Sequence, residues 1–152
     1  MKTTLLKLHK FLSDHKIEYI VTGTTALDIL GVHPHYSPDD LDIKVFNLTE
    51  EQAKKLQELA DLSGLENKDY EMGTKCFTFT VCDCKVNAIV VKSLSYNDVF
   101  KMSVPIRFAD EHGCRSTIYV QRVYHALYDK MLLKRNKDRE YMLNLIASLA
   151  RL

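Results

Sequence analysis

The chain has 152 residues, of which 46% are hydrophobic and 27% are charged, as in average soluble globular proteins. This apolar content excludes a disordered chain, and only 5 glycines and 3 prolines exclude a low-complexity one. The formal net charge of +1 gives no global field that would attract nucleic acid or an anionic membrane. We therefore expect a single folded domain.

The sequence shows no segment for membrane insertion or export. No apolar run approaches the roughly 20 residues that a membrane-spanning helix requires. Lys7 and Lys10 interrupt the first apolar stretch, where a signal peptide would need a continuous one. The four cysteines include no C-x-x-C pair and are too few for a disulfide scaffold. These features predict a cytoplasmic protein with no membrane partner.

The first half of the chain predicts alternating helices and strands. Helical spacing of leucines predicts a first helix, capped at Thr3 or Thr4, that ends near His15. The following elements are a buried strand over 17–22, a short helix from Gly23 to Gly31, a polar loop over 32–38 and an alternating strand over 40–46.

The second half predicts antiparallel strands and then helices. A capping box of Thr49 and Gln52 begins a helix that runs to about residue 62. The elements after it are a hairpin of strands 75–81 and 85–91 with its turn at 82–84, a strand pair near 106–108 and 117–120, and two helices in 121–152 that separate at Arg135-Asn136. The order predicts an α+β fold, with 1–120 as the α/β core and 121–152 as helices packed on it.

Two interpretations fit the aromatic and basic residues of the 121–152 segment. Tyr124 and Tyr128 among lysines and arginines are compatible with single-stranded nucleic acid binding or with ordinary helix packing. The small net charge favours packing. We accordingly expect Leu127, Met131 and Leu145 to lie in the core.

The strongest chemical signal is the sequence Asp40-Leu41-Asp42 on a predicted strand. Alternate residues of a strand face the same side, so the two carboxylates lie side by side and repel each other unless a cation neutralises them. Mg²⁺, or Mn²⁺ in its place, is bound in this way by one or two carboxylates together with substrate phosphates. Isolated aspartate pairs also occur as solvated strand ends, so the pair needs a second feature to indicate a site.

That second feature is the turn that precedes Asp40 and Asp42 along the chain. Gly23, Thr24 and Thr25 begin a helix directly after a buried strand, where backbone N–H groups and hydroxyls can bind phosphate. Together with the two aspartates, these residues would hold a nucleoside triphosphate and its metal ion.

In these two elements the sequence resembles the nucleotidyltransferase superfamily, whose fold is that of polymerase β. The strand that ends in Gly23-Thr24, the short helix and the Asp40-Leu41-Asp42-Ile43 strand match the family's order. The segment from Lys130 to Asp138 is similar to that of the toxin-like branch, the nucleotidyltransferases of type IV toxin–antitoxin systems. The resemblance implies a mixed sheet flanked by helices, with Asp40 and Asp42 binding the metal, Lys130 neutralising the triphosphate and the Lys137-Asp138 pair closing the site.

The sequence departs from the family pattern in three places. Tyr36-Ser37-Pro38 stand before the carboxylates, where the family has an arginine. Thr24 stands where the family has glycine or serine, and its hydroxyl can substitute for that of serine. Asn87 stands where a third carboxylate is expected, and asparagine can act neither as a base nor as an anionic metal ligand. Asp83, four residues earlier, is predicted to lie in the hairpin turn.

Two functions follow from this pattern. One is a metal-dependent transfer of a nucleotide from a nucleoside triphosphate to an acceptor such as a tRNA end, a protein hydroxyl or a small molecule. The other is a catalytically degenerate protein of the same fold that binds a nucleotide or a partner protein, as Asn87 would favour. A partner chain that completes the acceptor site is compatible with either function.

Overall fold

The secondary structure follows the predicted order and adds a short strand and a short helix. The computed structural model describes residues 1–32, 40–66, 68–70, 74–92, 96–133 and 135–150. The helices are α1 (Lys2–Asp14), α2 (Gly23–Ile29), α3 (Glu50–Ser63), α4 (Tyr96–Lys101), α5 (Val123–Leu133) and α6 (Asn136–Ala150). The strands are β1 (Glu18–Thr22), β2 (Asp40–Phe46), β3 (Lys68–Tyr70), β4 (Thr74–Val81), β5 (Cys84–Val91), β6 (Ser103–Ala109) and β7 (Arg115–Gln121). The strand β3 and the helix α4 were not predicted.

Two local predictions are wrong. Helix α1 begins at Lys2 without a side-chain cap, because Thr4 lies inside the helix on the face that buries its leucines. Met131 is 62% exposed, whereas Leu145 is buried as expected, since Met131 lies outside the cluster that α5 forms with α2 and α6. The predicted loop over 32–38 lies outside the described residues except for Val32.

The strands form one mixed seven-stranded sheet in the order β3-β4-β5-β2-β1-β7-β6. The neighbours β2 and β5 run parallel, as do β1 and β7, and the other pairs are antiparallel. This confirms the predicted α+β fold with a mixed sheet flanked by helices. The ends of β1 and β7 and the starts of β2 and β5 meet at one edge of the sheet, where the candidate site lies.

The two faces of the sheet carry different residues. On one face, the apolar side chains of the central strands pack against Leu5, Leu8 and Leu12 of α1 and Leu56 of α3. On the other face, a smaller cluster joins Leu27, Ala126 and Tyr141 from the helices α2, α5 and α6. The polar residues of β2, which are Asp40, Asp42 and Lys44, belong to this second face because they alternate with the buried apolar ones.

Local sequence signals determine where several elements begin and end. Thr49 and Gln52 form the predicted reciprocal capping box of α3, and Gly64 ends that helix in the left-handed conformation. Cys82 and Asp83 form the two-residue turn between β4 and β5, both with positive φ angles, and this confirms that Asp83 lies in the turn. Within the described parts of the chain, no helix combines the length and the apolar character that a bilayer crossing requires.

Candidate active site

Asp40, Asp42 and Asn87 lie side by side at the edge of the sheet. In the parallel pairing of β2 with β5, Asp42 is the register partner of Asn87. The Asn87 side-chain amide Nδ2 donates to Asp42 Oδ1 at 2.9 Å and to Asp40 Oδ2 at 3.4 Å. The position implied for a third carboxylate therefore contacts both aspartates, and it supplies a hydrogen-bond donor instead of an anion.

Gly23 allows the backbone at the end of β1 to approach the carboxylate of Asp42. Thr22 pairs with Asp42 across the antiparallel strands, so Gly23 follows directly beside it. The φ angle of Gly23 is +67°, and a Cβ atom at this residue would lie 3.0 Å from Asp42 Oδ2. Any side chain here would strain the backbone and crowd the carboxylate.

The two threonines after Gly23 have different environments. Thr25 is buried, and its hydroxyl donates to the main-chain oxygen of Asp40 at 3.2 Å. This bond holds the start of β2 against α2. Thr24 is partly exposed, and its hydroxyl accepts a hydrogen bond of 2.9 Å from the ammonium group of Lys130.

Lys130 is a buried cation held between three elements. Its side chain is 9% exposed, and its Nζ lies 3.4 Å from Asp138 Oδ1 and 4.6 Å from the ring centre of Tyr141. Arg135 Nε binds the other oxygen of Asp138 at 2.6 Å. Burial lowers the pKa of Lys130, and the charge of Asp138 opposes that effect. The structure thus brings Lys130 and Asp138 together next to the Gly23-Thr24 turn.

Several neighbouring groups shift the pKa of Asp42. Burial raises the pKa of its carboxyl group, and the charge of Asp40 raises it as well. The hydrogen bond from Asn87 and the charges of Lys130 and Lys137 lower it. Lys137 is exposed at the start of α6. Desolvation dominates, so an added cation would stabilise the ionised pair of aspartates.

A second group of charged and polar residues on this face was not predicted from the sequence. Lys44 Nζ lies 2.5 Å from Asp129 Oδ2, and Gln121 Nε2 donates to the same oxygen at 2.9 Å. The hydroxyl of Thr22 donates to the side-chain oxygen of Gln121. Lys44 could have been found because it follows Asp42 by two residues on one strand, whereas Gln121 gives no local signal.

Lys85 is a further cation that the sequence analysis did not assign. It is the register partner of Asp40, and its Nζ lies 3.7 Å from Asp40 Oδ2 with both side chains partly exposed. It lies two residues before Asn87 on the same face of β5. Asp40 is therefore contacted by a cation and an amide.

The donor set fits a hard divalent cation that is shared with a substrate. The described residues contain no group of three or more His, Cys, Asp or Glu side chains suited to a metal ion. Mg²⁺ is nevertheless commonly bound by only one or two protein carboxylates when substrate phosphates supply further oxygen ligands. Asp40 and Asp42 would be the ligands.

Comparison with known proteins finds similarity at the level of structure. No protein-family model matches the sequence, and no curated protein matches it either. A nucleotidyltransferase-like antigenic protein from Paracoccidioides brasiliensis superposes with a TM-score of 0.53 at 13% identity, covering 95% of this chain and 73% of its own.

Two structures of one antibiotic-resistance factor also superpose. ANT(2″)-Ia in complex with adenylyl-2″-tobramycin has a TM-score of 0.57 at 13% identity, covering 97% of this chain and 88% of its own. The solution structure of ANT(2″)-Ia has a TM-score of 0.55 at 14% identity, covering 98% of this chain and 86% of its own. These similarities show that the chain adopts the fold of nucleotidyltransferase-like proteins.

Proposed function

We propose that this protein binds a nucleoside triphosphate with a divalent cation and transfers its nucleotidyl group to an acceptor. One observation carries the proposal. The buried cation Lys130 binds Thr24 at 2.9 Å, and Thr24 follows Gly23, whose backbone lies against Asp42. A triphosphate bound at these residues would have the two carboxylates at one end and an ammonium group at the other.

Each residue of the site has a distinct task in this proposal. Asp40 and Asp42 would bind Mg²⁺ or Mn²⁺, which when bound neutralises phosphate charge during the transfer. Gly23 and Thr24 would contact the phosphates. As the acceptor hydroxyl oxygen bonds to the α-phosphorus, its proton passes to solvent and the bond to the β-phosphate breaks. Negative charge then accumulates on the departing pyrophosphate. Lys130 and the exposed Lys137 would stabilise that charge.

The environment of Lys130 suits this task. Asp138 lies 3.4 Å from Lys130 and keeps the buried ammonium group compensated before a substrate binds. Arg135 shares Asp138, so the carboxylate remains paired when Lys130 turns toward a phosphate. The Lys137-Asp138 pair would thus combine an exposed phosphate contact with a buried anchor for Lys130, as the similarity to the toxin-like branch implies.

The acceptor is proposed at the level of its chemistry. The reaction needs a hydroxyl group as the acceptor, and a tRNA end, a protein or a small molecule can each provide one. ANT(2″)-Ia was solved with adenylyl-2″-tobramycin, in which a small molecule carries the adenylyl group. That complex supports a small-molecule hydroxyl as one acceptor class.

A second candidate function rests on Asn87. Its amide donates to both aspartates, so the position supplies no anion to help activate an acceptor. A protein with this site would bind the triphosphate or a partner protein without turnover. Binding of a nucleotide without transfer would support this function.

Transfer is tested by following the α-phosphate. The protein is incubated with Mg²⁺ and ATP, CTP, GTP or UTP labelled at that position, together with total RNA, a protein extract or pooled small hydroxyl compounds. We expect metal-dependent labelling of one acceptor class, lost in Asp42→Ala and kept in Asp83→Asn, a change in the exposed turn. Nucleotide binding with no labelled product from any acceptor class would contradict the transferase function.

A further inference from the structure

The ion pair of Lys44 and Asp129 links the strand of the two aspartates to the helix that carries Lys130. Lys44 follows Asp42 by two residues on the same face of β2. Its Nζ lies 2.5 Å from Asp129 Oδ2, and the side chains are 18% and 37% exposed. Asp129 directly precedes Lys130 on α5.

Asp129 and Lys130 together connect α5 to both parts of the candidate site. Asp129 is bound by Lys44 of β2 and by the fully buried Gln121 of β7, which in turn accepts a hydrogen bond from Thr22. Lys130 is bound to Thr24. Two adjacent residues of α5 therefore contact the strand of the two aspartates and the Gly23-Thr24 turn.

We propose that the Lys44–Asp129 pair is a positioning device that holds Lys130 at the triphosphate; this inference rests on the proposed function. Neither Lys44 nor Asp129 touches the reacting atoms in this account. They act through Lys130, because a small displacement of α5 would move its ammonium group away from the phosphates.

The pair also has an electrostatic consequence, which predicts a different outcome. If the charge of Asp129 mattered more than its contacts, its removal would reduce repulsion of the triphosphate and leave Lys44 as an additional cation. Asp129→Ala would then bind a triphosphate more tightly. If the pair positions Lys130, loss of either partner weakens binding of the triphosphate. We then expect weaker binding in Asp129→Ala, which removes a negative charge, in Lys44→Met, which removes a positive one, and in the double variant.

The test uses the α,β-methylene analogues of ATP, CTP, GTP and UTP with Mg²⁺ and follows the one that the wild type binds best. Binding is measured by titration calorimetry, so that no acceptor is needed. We expect the three variants to lose affinity by about tenfold or more, and Lys44→Arg to retain it because the pair is kept. Asp14→Ala removes the exposed Lys10–Asp14 pair of α1, at 3.1 Å, and serves as the matched control. It should bind as the wild type does.

A double-mutant cycle with Lys130 separates positioning from general loss of structure. In a Lys130→Gln background, or in Lys130→Arg if the first does not fold, Asp129→Ala should cause much less further loss. Unchanged or tighter binding by Asp129→Ala, or full additivity with both Lys130 variants, would overturn the positioning role. Failure of the wild type to bind any of the four triphosphates would overturn the proposed function itself.

Discussion

Asn87 donates a hydrogen bond of 2.9 Å to the carboxylate of Asp42 from the neighbouring position of the parallel strand β5. A neutral amide thus contacts both aspartates at the point where the resemblance implies an anion. We predict that Asn87→Asp raises Mn²⁺ affinity by about tenfold or more, since a third negative charge is added within contact distance. It should also raise metal-dependent transfer.

Calorimetric titration with Mn²⁺ checks this prediction, with Thr78→Val as a control. Thr78 donates to Asn87 Oδ1 at 3.2 Å, so its substitution disturbs the Asn87 side chain without adding a charge. Equal metal affinity in the wild type and in Asn87→Asp would refute the assignment of residue 87 as the third-carboxylate position.

Gly23 and Gly31 form a matched pair for separating backbone strain from contact with the site. Both have positive φ angles, +67° and +77°, but only at Gly23 would a Cβ atom meet the Asp42 carboxylate, at 3.0 Å. Each alanine variant should lose about 1–2 kcal/mol of unfolding free energy from the left-handed conformation. Gly23→Ala should in addition weaken binding of Mg²⁺ with ATP.

Denaturant unfolding and nucleotide titration of the two variants give the comparison. Nothing lies within 4 Å of a Cβ atom at Gly31, so Gly31→Ala should bind nucleotide normally. If Gly23→Ala also bound nucleotide normally, the close approach to Asp42 would have no role in the site.

Lys130 contributes to folding as well as to the proposed binding of phosphate. Its partner Asp138 is only 4% exposed at the side chain, so Lys130→Met removes a cation that pairs with a buried carboxylate. We predict a loss of about 3 kcal/mol in unfolding free energy. Because Lys130→Met/Asp138→Leu removes both charges, it should recover much of that loss yet still bind a triphosphate more weakly than the wild type.

Denaturant unfolding gives the free energies, and calorimetry with ATP and Mg²⁺ gives the affinity. A double variant that binds the triphosphate as tightly as the wild type would show that Lys130 has a structural role only.

The stability of the fold should depend on pH through His9. Burial lowers the pKa of His9 from 6.5, and its Nδ1 lies 2.7 Å from the hydroxyl of Tyr19. The unfolded chain therefore binds the proton more readily than the folded protein does. The contribution of neutral His9 to the free energy of unfolding is therefore fully present above pH 6.5. It is lost as the pH falls through the lower pKa of the folded state.

Unfolding free energies measured between about pH 8 and about pH 5 test this dependence. The slope should be smaller in His9→Gln than in the wild type. An equal slope in the wild type and in His9→Gln would contradict the role of His9.

Local patterns predicted most of the fold. Thr49 and Gln52, the turn at Cys82 and Asp83, and the alternation of Asp40 to Phe46 each specify a conformation within a few residues. Helix α4 and strand β3 were not predicted because they are short and have no periodic apolar pattern. The exposure of Met131 depends on which side of α5 packs against α2 and α6, and only tertiary packing decides that.

The candidate site was predictable where its residues follow one another along one strand or turn. Asp40 and Asp42, and Gly23 and Thr24, belong to such local patterns. The Lys44–Asp129 pair joins residues 85 positions apart, and Thr22 bonds to Gln121 across 99 positions. Pairings at that separation arise from the strand order and from the packing of α5, so no local pattern indicates them.

The central claim is that Asp40, Asp42 and the Gly23-Thr24 turn bind a nucleoside triphosphate with a divalent cation. Thermal unfolding with ATP, CTP, GTP or UTP, each with and without Mg²⁺ or Mn²⁺, tests it most directly. A ligand at about 100 times its dissociation constant adds about 2.7 kcal/mol, a shift of several degrees. The account predicts a metal-dependent shift with at least one nucleotide that Asp40→Ala/Asp42→Ala loses; no shift with any nucleotide, or the same shift in that variant, would contradict it.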